Sequence, residues 1–438
     1  MESQALVVHS SLKYSSDNMP STVQGRVQRT KIYPQTSSFN PGSDIRLKLP
    51  ANEVASYADP NHRTYLNFTI RPEGQDLTLE RSGVMGLFQN FLIQTPSQEI
   101  YDCSDINNLM SAMMDLQCDQ LYKGNIAALQ QGTTVSNIGQ VLSAATDYNF
   151  SIPLPVNPLS MANSYIPLFS REEIELVFTL ADINAYGRWA GAPTSCVMTN
   201  VELVMDVIKL NPESQAMVDA MCGGVYQIST TGINSSRKTL ASGVTNHEVT
   251  VDTNVNFLDK ILCTWRVASA QDAHGSFQTA RVDPSLTKMQ FSVNGKNYPQ
   301  QQISGSNGNK AEFLSETLSA FNMLGNSNAP SSLNAEGAIT GVNVAGTTST
   351  SKFLLRENTT PTTAGGADSG SFLAAINLST LHENSNELYN GVSTVGANTL
   401  LKTQHAAMAA NVVQNVYCFY NERLRLDMNT DQQYMVIV

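Results

Sequence analysis

Apolar and polar residues alternate with a period of two through most of this chain, in short stretches bounded by turn residues. Ile45, Leu47 and Leu49 alternate up to Pro50. After an Asp59-Pro60 turn, Leu66, Phe68 and Ile70 share one face, and Phe91 and Ile93 carry the same pattern further on. Spacing of two puts the apolar set on one side of a strand, so each stretch predicts a strand with one buried face. The period changes after Ile100 and Tyr101. There Ile106, Leu109, Met110 and Met113 recur at helical spacing, with Asp105 placed to cap the first turn. The resulting unit is strand, turn, strand, helix.

Beyond it, residues 123–140 are rich in Gly, Ser, Thr and Gln and are expected to form a loop. Strands resume at Tyr148 to Leu154, where Pro153, Pro155 and Pro158 limit regular pairing. Glu173 to Leu180 predicts a two-faced strand, and Val201 to Leu210 the last strand of this half. Glu202 and Asp206 on that last strand are expected to turn one face to solvent or a partner. Asn211-Pro212 then opens a helical stretch, Glu213 to Met221, which Gly223-Gly224 closes. Pro at a helix start and Gly after its end make this the best domain boundary. The expected organisation is an arm over residues 1–30, one domain over 31–215 and a second over 216–438.

The second half repeats the order of the first. Met289, Phe291 and Val293 alternate, Asn294-Gly295 supplies a turn, and Phe313 to Met323 reads as helical. Leu66, Phe68 and Ile70 match Cys263, Trp265 and Val267; Phe91 and Ile93 match Phe291 and Val293; Ile152 and Leu154 match Ile376 and Leu378. The offset between matched residues grows from about 197 to about 224 along the chain, as two copies of one fold would give if the second carried longer loops. A Gly/Ser/Thr/Asn/Ala tract at 325–371 accounts for part of that growth. Val416, Cys418 and Tyr420, then Leu424 and Leu426, then Tyr434 to Val438 close the chain as strands, the last expected to be tied into a sheet.

Composition narrows the function classes. Of 438 residues only 14% are charged and the formal net charge is -11, the wrong sign for coating nucleic acid, so no sequence-specific nucleic-acid binding is expected. Six cysteines without CxxC spacing predict reduced thiols and no zinc site. No apolar run reaches the length that spans a bilayer, and the first residues lack a signal-peptide pattern, so use inside a cell or in something assembled there is expected. The six histidines fall in expected loops and segment edges, where surface or turn positions are the better reading, and no HExxH occurs. Gly305 to Lys310 has the look of a phosphate loop but not its spacing, and Ala311 stands where Ser or Thr is required. No Gly-X-Ser-X-Gly elbow exists. The chain is not expected to be an enzyme, and no cofactor or metal is expected.

Three groups of residues are candidates for contacts with other molecules. Glu173 and Glu175 share a strand face, as a solvated or intersubunit edge would. Tyr186, Arg188 and Trp189 lie in a glycine-flanked loop of interface-favoured types, with ordinary loop packing as the competing reading. Arg26, Arg29 and Lys31 form a basic cluster in a polar, proline-punctuated amino-terminal arm.

Ile45 to Leu49, Asp59-Pro60 with Tyr65-Leu66-Asn67-Phe68, Phe91-Leu92-Ile93 with Glu99-Ile100 and its helix, Tyr165-Ile166-Pro167-Leu168 and Asn200-Val201-Glu202-Leu203 occur in an order that resembles the double jelly-roll major capsid proteins. That family spans tailless bacterial viruses, virophages, Polinton-like viruses and the nucleocytoplasmic large DNA viruses; by size the chain is most similar to the virophage and Polinton-like group. The resemblance implies an all-β fold of two tandem eight-stranded jelly-roll β-sandwiches with short inserted helices. It further implies a homotrimer of pseudo-hexagonal outline that tiles an icosahedral shell. The implied partners are itself, neighbouring capsomers, and penton and minor capsid proteins, with the termini facing inward toward minor capsid proteins, an internal membrane or the genome. The alternative is a tandem β-sandwich carbohydrate-binding protein, which should present an aromatic platform or an Asp/Asn cluster that the sequence does not display.

Overall fold

A computed structural model describes residues 25–60, 63–135, 139–270, 273–305, 310–325, 372–379, 390–406, 408, 410–429 and 432–437. Most of the expected arm, and all but the first residue of the 325–371 tract, lie outside these.

Eight principal strands precede the linker: β1 (Gly25–Ile32), β2 (Asp44–Lys48), β3 (Tyr65–Glu73), β4 (Phe88–Gln94), β5 (Glu99–Ser104), β6 (Tyr148–Pro153), β7 (Glu175–Leu180) and β8 (Ser195–Leu210). They pair antiparallel in two sheets, β1-β8-β3-β6 and β2-β7-β4-β5. Helix α1 (Ile106–Gln117) joins β5 to the chain leading to β6, and α2 (Pro212–Cys222) is the linker. Asn211 caps α2 by accepting from the Ser214 N–H, and Gly223 ends it at φ 61, where a Cβ would be strained.

Eight more strands follow: β9 (Val225–Leu240), β10 (Asn246–Thr250), β11 (Leu258–Val267), β12 (Leu286–Val293), β13 (Lys296–Ser304), β14 (Leu373–Asn377), β15 (Thr399–His405) and β16 (Val412–Asp427), with α3 (Ala311–Ala320) after β13. Their sheets are β9-β16-β11-β14 and β10-β15-β12-β13. Every strand of the second set therefore occupies the place of the strand eight earlier. The fold is two tandem jelly rolls, the duplication that the growing offset predicts. The pairing is not residue for residue, however. Leu66 stands opposite Ile152, whereas its match Cys263 stands opposite Ala374 and not Ile376. A shift of two residues preserves which face is buried, so the pattern survives it.

Alternation decides the faces. Ile45 and Leu47 on β2 are fully buried while their neighbours are exposed. In the first core Phe91 stacks on Phe178 across β4 and β7, with centroids 4.4 Å apart and planes 11° from parallel. The first eight residues of β16 are buried on both faces. Val416 and Cys418 enter the core of the second sandwich, while Tyr417 and Phe419 join that of the first. One sheet of the second sandwich is thus covered on its outer side by its neighbour. Tyr434–Ile437 pairs with β16, tying the final strand into the sheet.

Two expectations need correction. Within residues 123–140, helix Gln120–Gly124 runs past the start of the expected loop and helix Ile126–Gln131 follows it. The Asp119 carboxylate caps the first, and Gly132 at φ 72 ends the second. Asp105 does precede α1, but it sits at φ 53 and its side chain makes no cap hydrogen bond. Its carboxylate is engaged elsewhere.

Candidate functional site

Helix α1 is amphipathic in sequence yet buried all round. Ile106, Leu109, Met113 and Leu116 enter the first core. The opposite stripe, Asn108, Ser111 and Asp115, faces the second sandwich at spacings of three and four, which align along one side of a helix. Asn108 donates to the Thr264 hydroxyl at 2.6 Å and Ser111 accepts from Arg281 at 2.9 Å. Asp115 pairs with Arg281 of the second sandwich and also with Arg81 at 2.7 Å and Lys123 at 2.6 Å. Burial alone would raise the Asp115 carboxyl; the three cations outweigh it and hold the group well below the usual carboxylate range. Desolvation pulls Lys123 below its ordinary value and Arg281 down to about 10.

Two further carboxylates cross the same seam. Asp105 accepts from Arg266 at 3.2 Å and Asn415 at 2.7 Å, while its backbone carbonyl accepts from the Tyr417 hydroxyl. Glu80 accepts from the Gln278 N–H at 2.5 Å and the Thr279 hydroxyl at 2.6 Å. Burial raises its pKa, and those hydrogen bonds offset part of the rise. Directional polar contacts of this kind fix one relative placement where apolar packing alone would tolerate several. They hold the two sandwiches as one block.

The candidate contact residues fall into three situations. Tyr186 and Trp189 are 1% and 2% exposed. The Trp189 indole donates to the Ile183 carbonyl, its N–H donates to the His274 carbonyl, and Arg188 lies over the Phe277 ring. Tyr186 and Trp189 thus pack into the first core, with His274 and Phe277 of the second sandwich laid against the same loop. Glu173 and Glu175 stand on the outer face of β2-β7-β4-β5, Glu173 half-exposed beside Lys48 and Glu175 held by Arg46 and Gln94. Arg26, Arg29 and Lys31 lie on β1, an edge strand exposed along most of its length. Arg29 donates to the Tyr65 hydroxyl and Lys31 pairs with Glu202 at 2.8 Å. Glu202 and Asp206, expected to face outward, are engaged by Lys31 and Arg63 of their own chain. Beside β1 opens a largely apolar groove of about 520 Å³, lined by Val27, Tyr57, Tyr165, Leu210 and Tyr226 among others.

Sequence reasoning missed the seam. Nothing in the sequence pattern singled out Asp115, Arg281 or Arg266, and His405, expected at a surface or turn, is 2% exposed at the end of β15. Its imidazole is desolvated and pushed down to about 4. No group of three or more His, Cys, Asp or Glu able to hold a metal occurs among the described residues.

No protein-family model matches the sequence, and no curated protein matches it. Solved structures match the fold along nearly the whole chain. The PBCV-1 virus capsid is similar at 11% identity and a TM-score of 0.61, covering 95% of this chain and 97% of that one. The Faustovirus major capsid protein is similar at 10% identity and 0.58, covering 96% and 92%. The mavirus major capsid protein is similar at 11% identity and 0.51, covering 100% and 96%.

Proposed function

We propose that this chain is the major capsid protein of an icosahedral virus, three copies of which form one capsomer with six jelly rolls around its rim. The observation that carries the reading is the pairing of two complete jelly rolls in one chain, locked by a buried polar seam, in a fold that capsid proteins share nearly end to end. A threefold object with six similar lobes presents a near-hexagonal outline, which lets one protein tile a closed shell. The rigid seam matters for that role. A hinge between the lobes would spread the outline over many shapes and the lattice contacts would not register.

On this reading the partners are further copies of the chain, neighbouring capsomers, penton and minor capsid proteins and a membrane beneath the shell, and the place of work is the virion. The Glu173 and Glu175 face is offered to neighbours as a salt-sensitive contact, and Arg26, Arg29 and Lys31 on the exposed strand β1 serve contacts of the amino-terminal arm. Negative-stain electron microscopy of the purified protein tests the proposal. Particles of hexagonal outline with threefold internal symmetry are expected; isolated two-lobed particles would contradict it.

A further inference from the structure

Lys310, the residue that ends the phosphate-loop lookalike, has a fully buried side chain, in contact with the nearly buried carboxylate of Asp283. Its ammonium lies 5.0 Å from the centroid of the Phe372 ring, itself fully buried. The turn carrying Asp283 is fixed from three sides. One carboxylate oxygen, Oδ1, accepts from the Leu286 N–H at 3.0 Å, which turns Oδ2 toward the lysine. The His405 ring contacts the Pro284 carbonyl at 3.2 Å, and the Ala406 N–H donates to the Ser285 carbonyl at 2.8 Å.

Removed from water, an ammonium–carboxylate pair loses the hydration that favours its charged form, and transfer of one proton gives a neutral amine beside a neutral acid. That is the reactive pair for amide formation, held at fixed geometry with water excluded. We propose that Lys310 and Asp283 are joined by an intramolecular isopeptide bond. The Lys310 Nζ lone pair attacks Asp283 Cγ, and the developing oxyanion on Oδ1 is met by the Leu286 N–H already bonded to it. The Cγ–Oδ2 bond then breaks, and Oδ2 leaves as water carrying the proton first transferred from the ammonium and a second from the amine nitrogen. Atoms and charge balance without an outside reagent: ammonium plus carboxylate give amide plus water. His405 is a positioning residue, holding the turn through Pro284. The bond would fasten the start of α3 to the turn that leads into β12, closing the β12-β13 hairpin into a covalent loop.

Mass spectrometry of the denatured, purified protein reads this directly. The chain is expected about 18 Da below its sequence mass, the loss of one water. Trypsin should leave Lys310 uncut and release residues 282–288 joined to residues 297–352 as one branched species. K310M keeps the aliphatic bulk and should regain full sequence mass with linear peptides. Wild-type protein at full mass with both peptides linear would overturn the proposal, as would a deficit that persists in K310M.

Discussion

Asp115 and Arg281, 166 residues apart in the chain, form an ion pair with neither side chain exposed to solvent, one from each jelly roll. A buried pair of this kind is weak as a source of net stability, since desolvation offsets most of the attraction, but losing one partner strands the other charge in the interior. D115A would leave Arg81, Lys123 and Arg281 around an empty site. The expected cost is about 3–5 kcal/mol in denaturant unfolding. A loss below about 1 kcal/mol would mean that the seam relaxes to admit water, and that it is not the fixed joint described above.

Glu422 gives the seam a dependence on pH. It stands on β16 opposite Thr230, whose hydroxyl donates to the Pro158 carbonyl of the first jelly roll. Its side chain is buried, neither carboxylate oxygen has a well-formed hydrogen bond, and the Tyr420 and Tyr101 phenols lie around it. Burial raises its pKa from 4.5 to about 8, and proximity of Tyr420 offsets a little of that. The folded state therefore favours the neutral acid. The contribution to stability is whole below about pH 4.5 and falls as pH rises to about 8, by about 1.4 kcal/mol for each unit of the shift. E422Q should accordingly gain on wild type as pH increases, by a few kcal/mol between about pH 5 and about pH 8 in urea unfolding. A difference that stays constant over that range would show the group to be ionised throughout.

Gly232, across from Tyr420 on β9, has no room for a side chain. An added Cβ would lie 2.4 Å from the Tyr420 ring and 2.6 Å from a Glu422 carboxylate oxygen. G232A is expected to cost about 1–3 kcal/mol by overpacking, read as a lowered thermal midpoint. An unchanged midpoint would show that Tyr420 can swing aside.

Charge reversal at Glu173 separates folding from assembly. Its pair with Lys48 is half-exposed, so E173K should change unfolding free energy by about 1 kcal/mol or less. Association between capsomers, followed by sedimentation at low salt, should weaken. Unaltered association would remove this face from the inter-capsomer contact.

Much of the architecture was legible because buried strands advertise themselves. Ile45 with Leu47, Leu66 with Phe68, and Phe291 with Val293 alternate so clearly that the strands and the repeat of their order follow from period two, while the jelly-roll topology came only from the family resemblance. Helix α2 was legible for a different reason, since Asn211-Pro212 and Gly223 carry local backbone chemistry. The seam was not. Asn108, Ser111 and Asp115 look like the solvent face of an amphipathic helix, and a second protein surface in place of water leaves no local mark on the sequence. One signal was present in retrospect: of the three only Asp115 is charged, and the helix carries no Lys or Arg to balance it. Tyr186 and Trp189 were ambiguous for another reason, because aromatic residues beside an arginine suit intrachain and interchain interfaces equally well, and here both side chains pack within the chain.

The account rests on three chains building one capsomer, and light scattering coupled to size-exclusion chromatography measures that most directly. At micromolar concentration the purified protein should elute as a single species of about three times 47.5 kDa, with no dependence on loading over a tenfold dilution. A monodisperse 47.5 kDa monomer would contradict it.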